Sequence, residues 1–256
     1  MSIKKDRIAL FYSVAGVKGI LLHFISKFLP PSRFSRQATL LDFKKHNLKF
    51  AEDIWQMLVS LGITCTPSQM NMISEEFLAF SKNQMNHVPH ESFPHNWNSG
   101  EELRLLLFAF IRLMKPENVV ETGTANGYST AAMAHAFELN GTGKVHTFDI
   151  VETSAPYVLP SSRNFIELHR VSGNFRELSL KIKSIGVDTQ KGFYLHDADH
   201  SYFGQSTDFR IAKALGFTYY ISDDVETSLV FCEQALSDSA SVLFDGRKFI
   251  GASIIH

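Results

Sequence analysis

Apolar positions along the chain fall into two regimes. Up to about residue 95 they recur at helical spacing. An apolar stretch from Ile8 to Leu29 ends at Pro30-Pro31, because proline lacks the amide proton and restricts the residue before it. A second helical pattern runs through Phe50, Ile54, Met57, Leu58 and Leu61 and stops near Gly62, and a third covers Ser68 to Phe80. The breaker-rich run from His87 to His95 predicts a loop. From Ser99 the pattern changes. Ser99 followed by Glu102 reads as a capping box opening a helix through Leu103, Leu106, Leu107, Phe110 and Leu113. Short apolar runs then alternate with helical stretches. Strands are predicted at Val119–Glu121, Lys144–Ile150, Phe165–Val171, Phe193–His196 and Tyr219–Ser222, and helices at Tyr128–Leu139, Arg176–Ile185 and Tyr202–Leu215. That alternation implies βαβ units and a mainly parallel sheet. Ser241–Phe244 and Lys248–Ile255 flank Asp245-Gly246, a strong signal for an antiparallel hairpin at the end.

Glu121-Thr122-Gly123-Thr124-Ala125-Asn126-Gly127-Tyr128-Ser129 joins a strand end to a helix through small residues. Glycines there let backbone approach a ligand, and ligands of open α/β sheets bind at the carboxyl ends of strands. Asp149 ends the next strand, where a carboxylate suits the two hydroxyl donors of a ribose. A tight turn with a solvated aspartate is the plainer alternative. A dinucleotide fingerprint is interrupted by Thr124 and Ala125, and no tyrosine has a lysine four residues on. An NAD(P)-dependent short-chain-type oxidoreductase is therefore the lesser reading.

With these motifs the sequence resembles class I S-adenosylmethionine-dependent methyltransferases, nearest the small-molecule O-methyltransferase branch that includes macrocin-type enzymes. The likeness spans roughly Ser99 to Ile255. It rests on the turn at Glu121 to Gly127, Asp149, Asp197-Ala198-Asp199-His200-Ser201-Tyr202, Ile221-Ser222-Asp223-Asp224-Val225-Glu226 and the terminal hairpin. The resemblance implies a Rossmann-like α/β fold: a seven-stranded, mostly parallel sheet with an antiparallel C-terminal hairpin. A helical N-terminal extension and lid loop (1–98) would precede the S-adenosylmethionine-binding domain (99–256). It also implies donor contacts from Glu121, Gly123, Thr124, Asn126, Gly127, Ser129 and Asp149, with Gly173 and Asn174 beside the adenine. Asn174 stands where the family more often has aspartate.

Asp197 follows one predicted strand and Asp223-Asp224 the next, so the sheet should bring them to one edge. Converging carboxylates repel unless protonated or bridged, and an all-oxygen set suits Mg²⁺. Helix capping is the competing role for these acids. His200 and Asp199 are the candidate general bases for a hydroxyl acceptor, the imidazole better matched to neutral pH. His87, His90 and His95 lack zinc-type spacing; a mobile lid with Phe93 and Trp97 as apolar walls is the expectation.

Charge narrows the partners. With 25 basic and 26 acidic residues the net charge is −1, which argues against a nucleic-acid binder. A non-catalytic donor-binding module stays open beside the enzyme. Cys65 and Cys232 form no framework, so a cytoplasmic setting is expected. Up to Arg36 there are seven basic residues against Asp6 alone. Lys18, His23 and Lys27 interrupt the apolar stretch there, which argues against a bilayer-spanning helix and favours packing, homo-oligomer contact or peripheral attachment at the inner membrane face through residues 1–36.

Overall fold

The computed structural model describes residues 33–87, 89–234 and 240–255. The helix expected over the N-terminal apolar stretch and its membrane contact therefore fall almost wholly outside the described residues. No helix among the described residues is long and apolar enough to cross a membrane.

The elements in chain order are α1 (Leu40–Lys45), β1 (Lys49–Phe50), α2 (Ile54–Ser60), α3 (Pro67–Asn86), α4 (Glu101–Met114), β2 (Asn118–Thr122), α5 (Tyr128–Asn140), β3 (Lys144–Asp149), β4 (Ile166–Arg170), α6 (Phe175–Ile185), β5 (Phe193–His196), α7 (Tyr202–Leu215), β6 (Tyr219–Ser222), α8 (Val230–Gln234), β7 (Ser241–Phe244) and β8 (Phe249–Ile254). They form one sheet in the order β1-β7-β8-β6-β5-β2-β3-β4. All neighbours are parallel except β8, which runs antiparallel to both β6 and β7.

Among the described residues the sheet therefore has eight strands, where seven were expected. The eighth is β1, two residues long, and it places Phe50 in a strand although the periodicity put it in a helix. Its short backbone run is captured by the edge of β7: the amides of Lys49 and Ala51 donate to the carbonyls of Ala240 and Val242. Tertiary pairing overrides local spacing here. The capping box at Ser99 is also corrected. Helix α4 begins at Glu101 with Gly100 as its N-cap and no side-chain cap, while Ser99 is buried with its hydroxyl unpartnered. Other helices start where their caps direct. Thr66 and Gln69 form a reciprocal capping box with Pro67 in the first turn of α3, and Ser201 caps α7.

Alternating side chains of the strands feed two apolar layers. Val119, Phe193, Leu195 and Ile221 face α2 to α5, where Leu103, Leu106, Leu107, Phe110 and Ile111 supply the buried stripe of α4. Val120, Phe148, Tyr194 and Tyr220 face the opposite layer with Leu178 and Ile182 of α6 and Phe209 of α7. From β2 the chain builds outward through β3 and β4 on one side, then returns to β5 and β6 on the other. The strand order thus reverses between β2 and β5, and the carboxyl ends there open a crevice.

Candidate functional site

At the end of β2 the chain passes very close to the end of β5. Gly123 has φ +94°, and a Cβ on it would lie 1.9 Å from the carbonyl oxygen of Asp197. Gly127 has φ +81°, and a Cβ there would lie 2.7 Å from that of Ala155. Only glycine meets both demands, left-handed backbone and no side chain.

Asp149 organises this turn. Its Oδ2 accepts from the amides of Thr124 and Ala125, each at 3.0 Å, and its Oδ1 from the amide of Val151 at 2.9 Å. Gly173, just past β4, lies beside it: a Cβ there would be 3.4 Å from Ile150. Asn174 caps α6, its Oδ1 accepting from the amides of Arg176 and Glu177.

Several of the sequence-predicted donor residues lie under the turn, bonded within the protein. Glu121 is fully buried, and its two oxygens accept from the hydroxyls of Ser129 and Thr130 at 2.5 Å. Burial raises its pKa from 4.5 to about 7, against the hydroxyls of Ser129, Thr130 and Thr147, which lower it. A carboxyl raised in this way contributes its full stability below its ordinary pKa and loses it as pH rises through the folded value. Glu121→Gln should therefore gain on the wild type by about 2–3 kcal/mol between about pH 5 and about pH 8. Urea unfolding at the two pH values would measure this, and a pH-independent difference would contradict it.

Asn126 is also fully buried, and it binds the preceding loop. Its Oδ1 accepts from the amides of Ser92 and Phe93, and its Nδ2 donates to Phe93 O and Asn98 Oδ1. Glu91 adds a second tie by accepting from Tyr157 Oη at 2.6 Å and Asn98 Nδ2 at 3.1 Å. The loop expected as a mobile lid is thus strapped to the turn. Phe93 is buried in it and Trp97 is half-exposed.

The acids after β5 and β6 do converge, around an unforeseen lysine. Lys248, immediately before β8, pairs with Asp223 and lies 3.4 Å from Asp224. Burial opposes its charge, but the carboxylates of Asp223, Asp197 and Asp224 outweigh it and hold the ammonium above its ordinary pKa. Burial pushes Asp223 up to about 6 despite this ion pair, and burial with the nearby Asp223 raises Asp197 too. Asp223 Oδ1 is buried without a partner. Three carboxylates and an unused oxygen fit a hard divalent cation in kind. As arranged here, the positive charge among them comes from Lys248.

His200 joins this cluster. Its Nε2 is 3.4 Å from Asp224 and 3.8 Å from Asp197, and its Nδ1 is buried and unpartnered. Burial, then His196 and Lys248, hold its pKa well below the usual value, so the ring is neutral near pH 7. Asp199 is exposed and bonded to the amide and hydroxyl of Ser201, a capping arrangement. The sequence reading missed a buried pair beneath His200. His196 Nδ1 lies 2.7 Å from Asp208 Oδ2, which also accepts from Thr122 Oγ1, and the His196 ring packs edge-on against His200 at 5.4 Å. One signal was available: Asp208 is an acid on the otherwise buried face of α7.

Residues 120–215 match the family model for a methyltransferase domain. Similar solved structures include an O-methyltransferase from Bacillus cereus in complex with SAH, 17% identical over 78% of this chain and 96% of that one, with a TM-score of 0.44. The O-methyltransferase TomG from Streptomyces achromogenes, involved in tomaymycin synthesis and solved with SAM, is 15% identical over 79% and 96%, with a TM-score of 0.47. SAH-bound methyltransferase PaMTH1 from Podospora anserina is 14% identical over 75% and 98%, with a TM-score of 0.42. No curated protein matches the chain.

Proposed function

We propose that this chain, whose residues 120–215 match a methyltransferase-domain model, transfers the methyl group of S-adenosylmethionine to a hydroxyl of a small polar acceptor such as a sugar or secondary metabolite. The observation that carries the reading is the coupling of Asp149 to the glycine turn at the strand-order reversal. One carboxylate fixes the amides of Thr124 and Ala125 and remains partly exposed to meet a ribose diol. The unit from Ser99 onward would bind the donor, with Gly173 bordering the adenine.

The acceptor chemistry follows from the second cluster. The sulfonium is already an activated leaving group, so the protein has to align two reactants and remove one proton. His200 is the base the geometry favours: its neutral ring holds an unpartnered Nδ1, and Asp224 and Asp197 flank Nε2. Proton uptake at Nδ1 would form an imidazolium whose cost of burial the two carboxylates beside Nε2 would partly offset. The His196–Asp208 pair and the bond from Thr227 Oγ1 to the His200 carbonyl, 2.8 Å, fix the ring's position. A Mg²⁺ ion would be held by Asp197, Asp223 and Asp224 in place of the Lys248 ammonium. It would supply polarisation of the acceptor hydroxyl.

Asp149→Ala tests the donor assignment. Loss of charged hydrogen bonds to a diol should weaken S-adenosylmethionine binding about 100-fold in calorimetry. Unchanged affinity would remove the basis for the reading, and tight binding of a nicotinamide nucleotide would replace it with hydride-transfer chemistry.

A further inference from the structure

A second group of metal-binding side chains lies on β3 and β4, away from the carboxylates at the crevice. His146 and Glu167 are directly paired across these parallel strands, and His169 stands two residues further on the same face. Among the described residues they are the only trio of possible ligand atoms lying within 4.8 Å of one another. His146 Nδ1 is 3.2 Å from His169 Nε2 and 3.6 Å from Glu167 Oε2, and His169 Nε2 is 3.9 Å from Glu167 Oε1. Four ligands at zinc's bond lengths of about 2.0–2.1 Å are separated from one another by roughly 3.3 Å. The spacing observed therefore already approaches one face of a tetrahedron.

We infer that His146, Glu167 and His169 form a site for a first-row divalent cation of the zinc type, with a fourth position open to water. Two imidazoles and a carboxylate are ligands such ions prefer, whereas Mg²⁺ prefers oxygen alone. The histidines are mostly buried and the glutamate half-exposed, which gives two positioned nitrogens and a solvent-side route for the ion. Burial lowers the pKa of both rings, His146 to about 4, so they are neutral as ligands must be. Phe148 stacks on His169 at 4.6 Å and fixes that ring from the strand side. Lys144 and Lys181 are the positive neighbours. Lys144 reaches Glu167 at 3.7 Å and Lys181 donates to the carbonyl of Arg170, so each is drawn to a protein oxygen. A bound ion would clamp β4, the outermost strand, to β3, just before the loop that carries Gly173. Without it, the same atoms form only a neutral imidazole–imidazole hydrogen bond.

The test is titration of the metal-free full chain with Zn²⁺ by calorimetry, with Co²⁺ as a spectroscopic probe. One equivalent should bind, and Co²⁺ should show the intense visible bands of a four-coordinate site. His146 is buried, so the variants are Glu167→Gln and His169→Gln. Each should weaken Zn²⁺ at least about tenfold, the loss that even outer-shell partners cause. Asp224→Asn should leave it unchanged. Absence of binding at micromolar Zn²⁺, wild-type affinity in the two ligand variants, or a loss in Asp224→Asn instead would each overturn the inference.

Discussion

Gly123→Ala is expected to destabilise the protein by about 4 kcal/mol or more and to abolish donor binding. A methyl group at this position would sit 1.9 Å from the Asp197 carbonyl and 2.4 Å from its carbonyl carbon. Both are backbone atoms, with no flexible side chain to swing aside. The φ of +94° adds a conformational cost for any residue with a Cβ. Relief requires β2 and β5 to separate where the crevice opens, so stability and binding should fall together. Denaturant unfolding with parallel calorimetry would show it. A variant within about 1 kcal/mol of wild type would mean that the strand ends yield far more easily than this packing implies.

Lys248→Met should cost about 3–5 kcal/mol at neutral pH in metal-free buffer, because Asp223 is fully buried and loses the ammonium that compensates it. The same substitution separates two states of the acidic cluster. If a divalent cation takes the place of Lys248 when available, added Mg²⁺ should restore most of the lost stability, and more strongly than it stabilises the wild type. If the lysine is the permanent counter-charge, Mg²⁺ will rescue nothing. A variant as stable as the wild type without metal would show that Asp223 accepts its proton instead.

The sequence-level expectations hold where strand, turn and helix agree locally. Strands β5 and β6, helix α7 and the first hairpin strand, Ser241–Phe244, fall on their expected boundaries, since each apolar run is bounded by a cap, glycine or polar turn. Gathering of the acids could be anticipated from topology, because adjacent parallel strands end at the same edge. Long-range partners were hidden. Lys248 only opens the second predicted hairpin strand, and nothing local marks it until β8 inserts between β6 and β7 and carries it to Asp223. Asn126 reads as a ligand contact in the turn, and its side-chain amide bonds residues about thirty positions earlier. Asn174, read as an adenine contact, also caps α6, and Asp199, read as a candidate base, accepts from the amide of Ser201, the residue that caps α7. The eighth strand was hidden because two residues carry no period.

That two-residue strand has a wider consequence. Residues 33–50 run along the far side of the sheet. Arg33 pairs with Glu233, the Ala38 amide donates to Glu226, and Lys49–Phe50 cover β7. A fragment cut at Ser99 would retain every motif of the crevice yet bare one margin of β7, with open donors and acceptors ready to recruit another chain. Such a fragment should self-associate, and the leading segment is in this sense the molecule's own guard against polymerisation.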